Sequence, residues 1–223
     1  MSDDSFIREV EEELRSDRLK NIWDRFGPVI IAAAILVVVA TAAWRGYEYY
    51  TESRANASGD RFLEALNLAN EGKADEALAE LRALEAEGYG AYPVLARMRA
   101  ATALQEKGDV EGAVAAFDAV AADTSAPEAI REMARIRAAY ILVDTGSAAD
   151  VAERAEPLSS DDHPLRHAAR EALGLAAWKE GRLGDARALF NQIVDDPAAP
   201  RNAQQRAMIM LDLITASGEV EEG

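Results

Sequence analysis

The chain has 223 residues, with 40 Asp and Glu against 24 Lys and Arg, a net charge of −16 and a sequence pI near 4.6. That balance excludes nucleic acid as a general partner, because phosphate contacts need clustered Lys and Arg. The absence of Cys excludes disulfides, thiolate metal sites and Cys nucleophiles, and an alanine-rich composition with only 6% Phe, Trp and Tyr favours packed helices over sheets.

The first 25 residues carry eight acidic and five basic side chains. Ile7, Val10 and Leu14, then Leu19, Ile22, Trp23 and Phe26, fall at helical spacing and predict one apolar stripe, with Ser5 as its cap. Two uses stay open for residues 1–25: contact with a membrane surface or cytoplasmic partner, or a solvated lead-in.

Between Phe26 and Trp44 there is no charge. As a helix these 19 residues span roughly 28 Å, close to the hydrocarbon thickness of a bilayer. Pro28 suits the first turn of such a helix. Trp23 and Phe26 at one end, and Trp44, Tyr47, Tyr49 and Tyr50 at the other, suit the two interfaces. A signal peptide cleaved after "ATA" at Ala40–Ala42 is the rival, but the long acidic lead is unlike a short basic one. Residues 26–45 are therefore expected to be an uncleaved transmembrane helix. Arg18, Lys20 and Arg25 before it, against Arg45 and Arg54 after it, put the N-terminus in the cytoplasm.

From 46 to 217 the chain reads as repeats. "GKADEALAEL", "GDVEGAVAAF" and "GRLGDARALF" each place Ala five residues and Leu or Phe nine residues after a Gly, and "GSAADVAERA" is a weaker copy. The glycines Gly72, Gly108, Gly146 and Gly181 lie 36, 38 and 35 residues apart, a spacing that signals a helical solenoid. Each unit is expected to be a first helix, a turn at Gly in the positive-φ region, and a second helix. Ala77, Ala113 and Ala186 leave room for close helix approach; Phe117 and Phe190 fill the gap beyond. First helices are expected near 52–70, 91–107, 127–144 and 164–180, and second helices near 73–87, 109–122, 147–158 and 182–196. Residues 199–217 read as a closing helix and 218–223 as a disordered tail. The predicted fold is thus all-α: one transmembrane helix, then about four helix pairs and a cap.

The Gly-x-x-x-x-Ala-x-x-x-Phe pattern resembles the tetratricopeptide repeat, the last copy best, with Leu173, Gly174, Ala186, Phe190 and Pro197. The whole layout resembles a narrower group. The front "FIREVEEELRSDRLKNIWDRFG", an anchor ending "AAWRGYEYY" and the repeat block are similar to the YfgM-type family, an ancillary subunit of the SecYEG translocon. That resemblance implies an inner-membrane anchor and a periplasmic repeat domain. It also implies work beside SecYEG and a PpiD-like chaperone on exported polypeptides.

Little points to chemistry. His163 and His167 stand at i, i+4 beside Asp161 and Asp162, but Pro164 starts a helix between them and no third ligand is evident, so an ordinary helix start outweighs a metal site. No phosphate loop or nucleophile motif is present in the sequence, and a non-enzymatic module without cofactors is expected. The four first helices hold 11 basic and 9 acidic residues and the four second helices 5 and 14, so the face lined by first helices should be near neutral and the outer one acidic. Phasing on the glycines puts Met98, Met133, Tyr140 and Trp178 on the first-helix face, as a polypeptide-binding groove or as core. A scaffold for envelope or cell-wall assembly is the alternative function.

Overall fold

The computed structural model describes residues 3–217, with side chains at 20 and from 23 onward. The expected tail at 218–223, and the side chains of Ile7, Val10, Leu14, Leu19 and Ile22, lie outside the described residues. Among the described residues the structure is all-helical: α1 (Asp3–Asn70), α2 (Ala74–Glu87), α3 (Tyr92–Glu106), α4 (Val110–Ala122), α5 (Glu128–Thr145), α6 (Ala148–Ala155), α7 (Arg166–Lys179), α8 (Leu183–Val194) and α9 (Arg201–Ala216), with one 3-10 turn at Glu156–Leu158. The chain divides into two compact units, Met1–Asn56 and Ala57–Gly223.

In the first unit α1 departs from expectation at two points. It already runs from Asp3, so Ser5 lies inside the helix rather than capping it. Pro28 is also interior, because the helix does not restart at Gly27. The Pro ring removes one backbone donor, and such a Pro is tolerated in membrane helices. From Trp23 the helix is long and apolar enough to cross a membrane. Val29, Ile30, Ile31 and Ile35 to Val39 are all exposed, as are Trp44, Tyr47, Tyr49 and Tyr50.

The second unit is a stack of helix pairs. Four apolar clusters follow one rule: each joins a first helix, its second helix and the next first helix. The first holds Ala65, Leu81 and Ala96, the second Val94, Phe117 and Ala134, the third Ile136, Val151 and Ala172, the fourth Ala177, Phe190 and Ala207. Because no cluster closes within one pair, each repeat depends on its neighbour.

Three turns share one hydrogen-bond pattern. Lys73 N donates to Leu68 O, Asp109 N to Leu104 O and Arg182 N to Ala177 O, each at 2.9 Å. This closure needs a left-handed residue just before the donor, and Gly72, Gly108 and Gly181 supply φ of 80°, 83° and 76°. Gly146 does not: its φ is −107°. Instead Ser147 and Asp150 form a capping box that starts α6 directly. The next repeat braces this turn. Lys179 Nζ donates to the carbonyls of Val143 and Asp144 at 2.9 and 2.7 Å, and Glu180 accepts from Ala148 N at 3.1 Å. A Cβ at Gly146 would displace the end of the Leu142 side chain, 2.8 Å away, and press on the Leu142 carbonyl at 3.2 Å.

The loops that return to the next first helix are pinned by carboxylates. Asp123 accepts from the Ser125 hydroxyl at 2.6 Å and its N–H at 2.9 Å, and pairs with Arg97. Asp196 accepts from Ala198 N, Arg166 Nε and His167 Nε2, each at 2.8 Å. The Ser125 hydroxyl, then Arg97, hold Asp123 at about 2. The Ala198 N–H, then His167 and Arg166, hold Asp196 well below the usual carboxylate range.

Two outcomes follow from this packing. Ala186 is fully buried while Ala198 is exposed, so Ala186→Arg should cost about 1–3 kcal/mol or more by overpacking and buried charge, and Ala198→Arg should change little; equal melting temperatures would contradict the repeat packing. The two lowered carboxylates make the folded state bind fewer protons than the unfolded one at acid pH. Their stabilisation is complete above about pH 5 and lost as pH falls from about 4 towards 2. Urea midpoints measured across that window should fall, and Asp196→Asn should flatten the fall; an unchanged slope would dissociate Asp196 from the effect.

Candidate functional site

The burial pattern of the first helices repeats, and it aligns their faces. Ala96, Ala101 and Ala103 of α3 match Ala134, Ala139 and Ile141 of α5, all of them buried, at the shift from Gly108 to Gly146. Ala169 and Ala176 of α7 match Ala207 and Ile214 of α9, also buried. In that register Met133, Ala168 and Arg206 form one row across α5, α7 and α9. Ile136, Glu171 and Ile209 form the next, then Tyr140, Leu175 and Leu213, then Val143, Trp178 and Ala216. Residues seven apart on a helix share a face, so Met133 and Tyr140 look the same way, as do Glu171 and Trp178.

This face is the inner side of the stack. Helix α5 packs on α7 and α7 on α9, whereas no comparable packing joins α4 to α6 or α6 to α8. The second helices α4 and α6 are instead bridged by a two-pronged ion pair, with Arg154 donating to Asp118 at 2.9 and 2.6 Å.

At its centre lies a polar clamp. Glu171 is buried, at 6% exposure. Both of its oxygens are occupied: Arg206 donates from Nε and Nη2 at 2.6 Å each, and the Tyr140 hydroxyl donates at 3.1 Å. Burial, then the Glu171 charge, push the Tyr140 phenol far above its ordinary value, and the Glu171 hydrogen bonds raise Arg206 further. The clamp joins three successive first helices through a neutralised pair. Around it the face is apolar and open: Met133 is 37% exposed, Trp178 42%, Leu213 49% and Ile209 58%.

The four residues singled out by phasing divide. Met133 and Trp178 are exposed, while Met98 and Tyr140 are half-buried against the cores beneath them. The repeat positions Ala77, Ala113, Ala186, Phe117 and Phe190 are buried to 1% exposure or less. Gly174 lies under the Phe190 ring, where a Cβ would come within 2.9 Å of it. Leu175, Ile209, Leu213 and Glu171 were not foreseen. Carrying Tyr140 forward by one and two repeats would have found the two leucines. The histidines serve different carboxylates. His163 Nδ1 accepts from Leu165 N at 3.1 Å, so its Nε2 carries the proton towards Glu132 at 3.2 Å. His167 turns to Asp196. Among the described residues no cluster of potential ligands could hold a metal ion.

The clamp makes a specific energetic demand. Arg206→Met leaves a buried carboxylate without its cation and should destabilise by about 1–3 kcal/mol. Adding Glu171→Leu should recover much of that loss, because no unpaired carboxylate then remains buried. A double variant no more stable than Arg206→Met would show that Arg206 acts by packing alone.

The comparisons with known proteins bear on the same repeats. No curated protein matches the chain. Among solved structures, nearly identical tetratricopeptide-like repeats of a kinesin-light-chain protein from Podosopora anserina align with a TM-score of 0.48 at 18% identity, over 73% of this chain and 96% of that one. The model of the tetratricopeptide repeat-like domain family matches residues 20–214, which takes in the apolar stretch, every turn glycine, α2 to α8 and most of α9. The chain belongs to the tetratricopeptide repeat-like domain family.

Proposed function

We propose that this protein is a non-enzymatic interaction module, anchored in a membrane by its N-terminal apolar helix, that binds partner polypeptides on the inner face of its repeats. The observation that carries the reading is the open apolar surface on α7 and α9, where Trp178, Ile209 and Leu213 are each more than 40% exposed. Large exposed apolar side chains gathered on one face mark an interaction site more than scattered ones do. Trp is also the side chain most enriched among residues that dominate binding energy.

The resemblance of the front segment and layout to the YfgM-type family refines the proposal. On that reading residues 1–25 are cytoplasmic, the repeat domain is periplasmic, and the partners are SecYEG, a PpiD-like chaperone and polypeptides in export. The basic residues before the apolar stretch support the orientation.

Two measurements test the reading. Alkaline phosphatase fused after Gly223 should be active in an intact fusion; an inactive one would reverse the orientation. A photoreactive residue at Trp178 should crosslink exported chains or translocon components, while one at Glu153, an exposed position on α6, should not. Equal capture from both positions, or capture only from Glu153, would move the binding surface off the inner face.

A further inference from the structure

The inner face selects the conformation of what it binds. Across α3, α5, α7 and α9 most of the polar members of these rows bond to one another or to their own helix. The Thr102 hydroxyl donates to Met98 O at 3.1 Å within its own helix. Tyr140, Glu171 and Arg206 bond to one another. On α3 the same register adds Leu95, Met98, Thr102 and Gln105 to the rows, and Gln105 is the one side-chain amide among them. An extended peptide laid here would bring a backbone N–H and C=O at every residue against apolar side chains, with almost no donors or acceptors to receive them. A helix satisfies its own backbone and needs only an apolar stripe.

Charge narrows the partner further. Within the rows the ionised groups Glu171 and Arg206 pair with each other, and Arg137, exposed on α5 between Met133 and Tyr140, is the cation beside them. The loops bordering the face before α7 and α9 carry exposed Asp161, Asp162 and Asp195, within a chain of net charge −16. We infer that the occupant of the inner face is an amphipathic α-helix of the partner polypeptide, apolar on the side that meets α5, α7 and α9 and basic on the other. This inference rests on the interaction reading above and specifies its ligand.

The test uses the full chain in nanodiscs of zwitterionic lipid, with empty nanodiscs as the baseline. One fluorescent probe is a Leu/Lys peptide of about 18 residues, five helical turns, with its leucines in a single stripe. The other has the same composition in strictly alternating order, which cannot form that stripe. Anisotropy should show binding of the striped peptide at least tenfold tighter than the alternating one. Ile209→Gln with Leu213→Gln, both at exposed positions, should remove that advantage, and Glu153→Gln on α6 should not. Equal binding of the two peptides, or no response to the α9 substitutions, would overturn the helix inference. If Trp178 still crosslinks partner chains in that case, the interaction reading survives without it; if Trp178 captures nothing either, both fall.

Discussion

Everything in the repeat domain depends on how closely each first helix approaches its second. The approach is set by residues with almost no side chain at the crossing: Ala77, Ala113 and Ala186, none with exposed surface, and Gly174 beneath the Phe190 ring. Small residues bring the backbones together, and the ring or leucine one turn on fills what remains. Because the clusters so formed always include the following first helix, a pair is never complete by itself. The stack grows by presenting an unfinished surface that the next repeat finishes.

That rule also explains where the charges went. Ion pairs join successive repeats, Lys107 with Asp75 and Arg154 with Asp118, and tie the loops that lead to the next repeat, Arg97 with Asp123 and Arg166 and His167 with Asp196. There the carboxylates fix loops and register at little desolvation cost, being partly in water. On the inner face the buried Glu171 is held by Arg206 and Tyr140. Helix α9 shares the buried register of α7 but not its exposed composition. It packs through Ala203, Ala207 and Ile214, yet leaves Met208, Ile209 and Leu213 in the open, where a terminal helix serving only as a cap would be polar.

Much of this was legible in the sequence, because a tight turn and a close crossing each demand one residue type at one place. The glycine period located the helix pairs to within a few residues, and positive φ at Gly72, Gly108 and Gly181 follows from the same demand. Gly146 shows the limit. A capping box and two braces from the next repeat do the work of the left-handed turn, and those braces lie more than 30 residues away in sequence. The start of α1 and the place of Pro28 were misread because continuous helix carries no punctuation to mark where one role ends and another begins. The buried Glu171 was illegible for a different reason: an acidic residue in an acidic chain signals nothing until its partners from α5 and α9 are seen beside it.

The central claim is that one face of the first helices is open and apolar while residues a single helical step away are sealed. The chain has no Cys, so single-cysteine variants can report this directly through maleimide labelling of the full-length protein. Trp178→Cys, Ile209→Cys and Leu213→Cys should label within the time of an unfolded control. Ala176→Cys, Ala207→Cys and Ile214→Cys, all at positions no more than 4% exposed, should label only when denaturant is added. Protection at 178, 209 and 213 equal to that at 176, 207 and 214, or equal reactivity at all six, would contradict the account.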